Sequence, residues 1–256
     1  MPMKLYSEKA INFNYTKVTP TFIAEIKSQQ SVCEITKTSH IIAHNAYYHR
    51  NFPGTLSQIF TRQAVLYRLQ QICNILAPEY GLFIFDAFRT KQTQAYLFET
   101  YKQQIHTKKT HLTHDELEFE VRKYVSHPDE PTRFAVAPHN SGGAIDLAIY
   151  DCQTKEVLDF GCSFDETEEI ARTDFFEQAY RYELAAMSEE RYNLVRKNRR
   201  ILFNIMQEHD FTNYRTEWWH YDLGDCMWAA EHHVDYIFES MEQAVKEKVT
   251  SILASS

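Results

Sequence analysis

At 256 residues, with 44% hydrophobic and 24% charged side chains, the chain has the composition of a soluble globular protein with material for one sizeable core. Six glycines and seven prolines, set against 16 tyrosines and 17 phenylalanines, leave little for flexible linkers and exclude a disordered chain. The balance of 27 basic to 35 acidic residues points away from a nucleic-acid partner, and no stretch approaches the apolar length of a membrane span.

The first residues, "MPMKLYSEKAINFNYTK", lack the apolar core of a secretory signal, so the expected location is the cytoplasm. The whole length, 1–256, reads as one domain. Apolar residues from Ser57 to Leu76 recur at helical spacing and stop before Pro78. "GLFIFDAFR" then reads as a buried strand whose charged end, Asp86 and Arg89, marks a strand terminus. "TKQTQAYLFETYKQQ" is helical again, and "THDELEFEVRKYV" opens with Thr113 and Glu116 at the spacing of a capping box, with Leu117, Val121 and Tyr124 on one face.

A proline-interrupted loop, "SHPDEPTRFAVAPHNSGG", leads into "AIDLAIYD". Its alternation sets Ile145, Leu147 and Ile149 on one face and Ala144, Asp146 and Ala148 on the other, so a carboxylate sits between alanines with space around it. "RYNLVRKNRRILFNIMQEHDF" carries Leu194, Val195, Leu202, Ile205 and Met206 at helical spacing, and its basic run "VRKNRR" lies within that helix. "YRTEWWHYDL" is too short and aromatic for a helix and reads as a strand, and the tail from Glu231 is helical by pattern. Helices and strands without regular alternation predict an α+β fold built on an antiparallel sheet.

The five cysteines, Cys33, Cys73, Cys152, Cys162 and Cys226, form no CxxC pair and read as free thiols of a reducing compartment. His106, His111 and His114 read as an exposed loop running into a helix cap, and His232 and His233 as solvent-facing neighbours on a tail helix. A zinc site that catalyses needs three nitrogen, oxygen or sulfur ligands and one open position. His139, Asp146 and His220 can supply that set if Gly142 and Gly143 turn the chain sharply between the first two. On spacing alone such a set is unspecific. Glu217 and His220, three apart, share a site only through a bulge or tight bend, because side chains three apart on a strand face opposite ways.

"YYHRNFPG", "FDAFR", "HNSGGAID", "VLDFGCSFDE", "NRRILFNIM" and "EWWHY", in that order between Tyr47 and Asp225, resemble the zinc-dependent D-alanyl-D-alanine dipeptidases of the vancomycin-resistance type. These belong to the D,D-peptidases with the patterns S-x-H-x-x-G-x-A-x-D and E-x-W-H. The resemblance implies a central, mainly antiparallel sheet flanked by helices, the D,D-peptidase or hedgehog-like zinc peptidase fold. It implies one Zn²⁺ per chain held by His139, Asp146 and His220, with Glu217 as catalytic base and Arg89 stabilising the oxyanion. Asp165 matches the acid that holds the substrate ammonium.

Two positions depart from the pattern: Ala137 stands where the family serine would donate a hydrogen bond, and Thr90 replaces the proline after the arginine. The implied reaction is hydrolysis of D-alanyl-D-alanine to two D-alanines, a small-dipeptide chemistry with no nucleic acid or membrane involved. A D,D-carboxypeptidase trimming peptidoglycan stem peptides would use the same centre, and a non-catalytic peptide-binding protein would have no need of Glu217. The aromatic neighbours of Glu217 are expected to strip its hydration and lift its pKa.

Overall fold

The computed structural model describes residues 2–123, 125–127 and 136–255; Tyr124 and residues 128–135 of the expected loop lie outside them. Seven strands are present among the described residues: β1 (Val32–Glu34), β2 (Ile41–Ala43), β3 (Phe60–Arg62), β4 (Tyr80–Asp86), β5 (Ala144–Asp151), β6 (Thr212–Asn213) and β7 (His220–Asp222). The main sheet has the order β2-β4-β5-β7-β6, and β1 pairs with β3 in a separate ribbon. Only β2 and β4 run parallel; every other pair is antiparallel, as expected of an α+β fold.

The helices in chain order are α1 (Pro2–Glu8), α2 (Pro20–Ser28), α3 (Ala46–His49), α4 (Gln63–Leu76), α5 (Lys91–Lys108), α6 (His114–Val121), α7 (Pro138–Ser141), α8 (Tyr182–Ala185), α9 (Glu189–Glu208), α10 (Cys226–His232) and α11 (Glu242–Ser255). None of the described helices is long and apolar enough to cross a membrane. Ile145, Leu147 and Ile149 of β5 join Leu69, Ile72 and Leu76 of α4 and Leu202, Ile205 and Met206 of α9 in one apolar cluster. Burying each such side chain stabilises the fold by roughly 1.5–3 kcal/mol. A second cluster unites Leu97, Phe98, Tyr101 and Ile105 of α5 with Leu117 and Val121 of α6 and with Tyr47.

Local signals place several elements where the sequence puts them. The Thr113 hydroxyl accepts from the Glu116 amide while the Glu116 carboxylate accepts from the Thr113 amide, the reciprocal cap expected of α6. Thr90, the departure from the family proline, caps α5 by accepting from the Thr93 amide and donates to the Gly54 carbonyl at 2.9 Å. All five cysteines are unpaired.

Other expectations are corrected. The helical stripe from Ser57 begins only at Gln63, because Phe60–Arg62 pairs with β1, a tertiary contact that local periodicity does not contain. Leu194 is 50% exposed and so lies off the buried face of α9. The tail is two helices separated by residues 233–241, with His233 exposed and in the left-handed conformation at the end of α10, while the half-buried His232 ring bonds the Thr16 carbonyl at 2.9 Å. The basic run is structural. Buried Arg199 donates to the carbonyls of Phe160 and Ile170, each at 2.8 Å, and Arg200 pairs with Glu177 at 2.6 Å, tying the segment after β5 to α9.

Candidate metal centre

Asp146 faces Asp86 across the β4–β5 pair and His220 across the β5–β7 pair, so strand register alone brings these three residues into one row. A break in register between Ile84 and Asp86 marks the end of β4, where the chain leaves the sheet towards Arg89. His139 arrives from α7, which ends at Gly142 with φ of +75°. That left-handed turn suits glycine, and a Cβ there would lie 2.6 Å from the Met241 sulfur. At Gly143 a Cβ would meet the Leu223 carbonyl at 2.6 Å, so β5 begins in a space too close for a side chain. Both glycines are therefore demanded by the geometry that folds His139 back onto Asp146.

The expected strand over "YRTEWWHYDL" is a turn followed by a three-residue strand. Two tight turns succeed one another: the Glu217 amide donates to the Tyr214 carbonyl at 2.9 Å and the His220 amide to the Glu217 carbonyl at 3.4 Å. Trp218 is drawn away by its amide bond to Ala171 at 3.0 Å and by stacking on Phe160 with ring centroids 4.2 Å apart. This is the bend that lets Glu217 and His220 share one site, with Glu217 Oε2 3.9 Å from His220 Nδ1.

The resulting donor set is tight and buried. His139 Nε2 lies 3.2 Å from His220 Nδ1 and 3.4 Å from Asp146 Oδ2, and His220 Nδ1 lies 3.1 Å from Asp146 Oδ1. One donor atom from each residue lies within 4.8 Å of the other two, close enough for the two imidazole nitrogens and an Asp146 oxygen to share one ion of the zinc type. The remaining ring nitrogens are committed elsewhere: His139 Nδ1 donates to the Ala87 carbonyl at 2.7 Å and His220 Nε2 to Asp222 Oδ1 at 2.8 Å. Such outer bonds fix the tautomer that turns the free nitrogen lone pair towards a metal. No other group of three or more potential ligands gathers among the described residues.

Electrostatics agree with this donor chemistry. Burial would push the Asp146 carboxyl up, but His139 and His220 outweigh it and hold the acid well below its usual range. Burial would also discharge His220, yet Asp222 and Asp146 hold its imidazolium well above the usual range. A metal held by this nitrogen would have to displace a proton from His220, which would couple binding to pH. Burial lifts Glu217 to about 8, against the pull of His220 and with further push from Asp146 and Asp165. The expected lift is present, and its largest cause is lost hydration.

Arg89 is 7% exposed and fully engaged. Its Nε donates to Asp86 at 2.9 Å, Nη1 to Gln94 at 3.1 Å, and Nη2 lies 2.8 Å from Asp86, 3.4 Å from the Tyr47 hydroxyl and 3.5 Å from Asp146. Asp165, at φ +66°, accepts from the Tyr47 hydroxyl at 2.9 Å and pairs with Arg50. Trp218 and Trp219 are both buried, and Trp219 also lines the cavity. A cavity of about 420 Å³ opens over the row, lined among others by Tyr47, Leu97, Tyr101, Asp165, Glu217 and Ala137, a size suited to a small ligand.

All six residues singled out from the sequence, His139, Asp146, His220, Glu217, Arg89 and Asp165, line this one cavity. His106, His111 and His114 are exposed on or beside α5 and α6, away from the centre. Sequence reasoning assigned no role to Asp222, Asp86 or Gln94. Asp222 was recoverable, since it stands two residues after His220 in a strand and so shares its face; Gln94 carried no local signal.

Three curated proteins resemble the chain, each bearing the name D-alanyl-D-alanine dipeptidase. The protein of Enterococcus faecalis is 26% identical over 174 residues, covering 66% of this chain and 76% of its own length. That of Synechocystis is 23% identical over 187 residues, covering 67% and 72%. That of Enterococcus faecium is 28% identical over 149 residues, covering 57% and 63%. The model of the peptidase M15 family, described as D-ala-D-ala dipeptidase, matches residues 53–239, a span that takes in Arg89, His139, Asp146, Asp165, Glu217 and His220. The chain belongs to the peptidase M15 family of metallopeptidases.

Proposed function

We propose that the protein is a zinc-dependent dipeptidase that hydrolyses D-alanyl-D-alanine to two D-alanines in the cytoplasm, with one Zn²⁺ held by His139, Asp146 and His220. The observation that carries this reading is the buried donor trio at 3.1–3.4 Å with Glu217 beside it, in a chain whose relatives are named for that reaction. When bound, zinc supplies Lewis acidity and lowers the pKa of water at the site. Two neutral imidazoles and one carboxylate leave a net charge of about +1 at the ion, enough to polarise a carbonyl.

Glu217 is the base in this mechanism. It takes a proton from the attacking water and returns it to the departing amine, a task that suits a carboxylate tuned towards neutrality. Arg89, held rigidly by Asp86 and Gln94, presents positive charge where the scissile carbonyl oxygen becomes negative, and this favours the transition state over the neutral ground state. Asp165 receives the substrate's α-ammonium at the Tyr47 side of the cavity.

The test is a metal assay paired with D-alanine release. Purified protein should carry about one zinc per chain, and chelation should abolish release until zinc is restored. Undiminished release after complete metal removal would overturn the proposal. Parallel assays on a muramyl pentapeptide should give the slower reaction; faster cleavage there would reassign the enzyme as a D,D-carboxypeptidase.

A further inference from the structure

Arg50 follows α3 and is absent from the lining of the cavity, yet it pairs with Asp165, which does line it. The Arg50 side chain is 44% exposed and that of Asp165 only 16%, so the cation reaches the acid from the solvent side. Its guanidinium carbon also lies 5.6 Å from the Phe164 ring and 5.8 Å from the Tyr47 ring, which hold it over the acid. Tyr47 occupies the other Asp165 oxygen at 2.9 Å. Two partners leave a carboxylate, with about four acceptor positions, free to take a third donor from inside the cavity.

Asp165 needs such support. It sits at φ +66°, a conformation that side chains rarely adopt. Burial pushes its acid up, with Asp146 adding to that push, while Arg50 and Tyr47 oppose it. Arg89 stands beyond Tyr47, and Glu217 and Tyr101 also feel the Asp165 charge. Among these neighbours Arg50 is the cation in direct contact with the acid.

We propose that Arg50 is a positioning residue that keeps Asp165 charged and aimed into the cavity, so that the enzyme's preference for a dipeptide with a free amino terminus is set by a side chain outside the substrate pocket. This inference rests on the dipeptidase reading above. Arg50 does not line the cavity, so it leaves the substrate's place open. Without it, burial and the Asp146 charge push the Asp165 acid up with only the Tyr47 hydroxyl in contact to oppose them, and the carboxylate loses the ion pair that holds it in place.

The experiment compares kcat/KM for D-alanyl-D-alanine with that for its N-acetylated form in zinc-loaded wild type, Arg50→Gln, Arg50→Lys, Asp165→Asn and the double variant Arg50→Gln/Asp165→Asn. Arg50→Gln should cut the ratio of free to blocked peptide about tenfold, chiefly through KM, and Arg50→Lys should restore most of it. In the Asp165→Asn background, Arg50→Gln should change the ratio no further. An unchanged ratio, an equal loss on both peptides, or a full further drop in the Asp165→Asn background would overturn the proposal while leaving the dipeptidase reading intact. A zinc-loaded wild type that cleaves neither peptide would overturn both.

Discussion

Replacing Glu217 with glutamine separates what this side chain does for the reaction from what it costs the fold. The carboxyl is raised from its ordinary 4.5 to about 8, with burial as the largest cause. A group whose folded pKa lies above its unfolded pKa contributes stability that is complete below the unfolded value and is lost as pH rises through the folded one. In chelated protein the loss should therefore run from about pH 4.5 to about pH 8, and the whole interval corresponds to roughly 4–5 kcal/mol. Glutamine keeps the shape and cannot ionise. Glu217→Gln should match wild type near pH 4.5 and exceed it by a margin that widens to a few kcal/mol above pH 8, a rise in Tm of roughly 2–4 °C per kcal/mol. Thermal unfolding of both proteins in chelator, from pH 4.5 to 9, reads this directly. The same variant loaded with zinc should retain the metal and lose about 10²–10⁴ in kcat. Parallel stability profiles across that range would refute the burial argument, and near wild-type turnover would remove Glu217 from the role of base.

Three further variants probe the frame of the site. Asp222→Asn weakens the 2.8 Å bond that orients His220 and should lower zinc affinity about 10–100-fold, measured by competition with a chromophoric chelator; unchanged affinity would deny Asp222 that part. Gly142→Ala forces a side chain into a left-handed turn against Met241 and should cost about 1–3 kcal/mol in urea unfolding, together with weaker zinc binding. Ala137 is the N-cap of α7 without a side-chain bond, so Ala137→Ser should add about 1 kcal/mol, and a lowered Tm in that variant would contradict the assignment of the cap.

What could be read from the sequence follows from how local the responsible forces are. Asp146 was legible because an acid amid alternating apolar residues breaks a simple pattern, and α6 because both halves of its cap lie within four residues. The turn at Tyr214–Glu217 was not, since the same aromatic residues suit a strand, and their path is decided by Phe160 and Ala171, more than forty positions away. β3 was absorbed into the helix that follows it for a similar reason: its partner is β1, and a three-residue pairing leaves no periodicity of its own. The His139, Asp146 and His220 cluster could be singled out by resemblance, whereas Gln94 and the pairing of Arg50 with Asp165 emerge only from packing.

Because Asp146 and His220 oppose one another across β5 and β7, a slip of one residue between those strands would carry one donor to the far side of the sheet. A cation held there as proposed would act as a proofreader of the chain's assembly, since it could be grasped only after the two strands have docked in phase. Metal retention during refolding would then report the completion of that step ahead of any measurement of turnover.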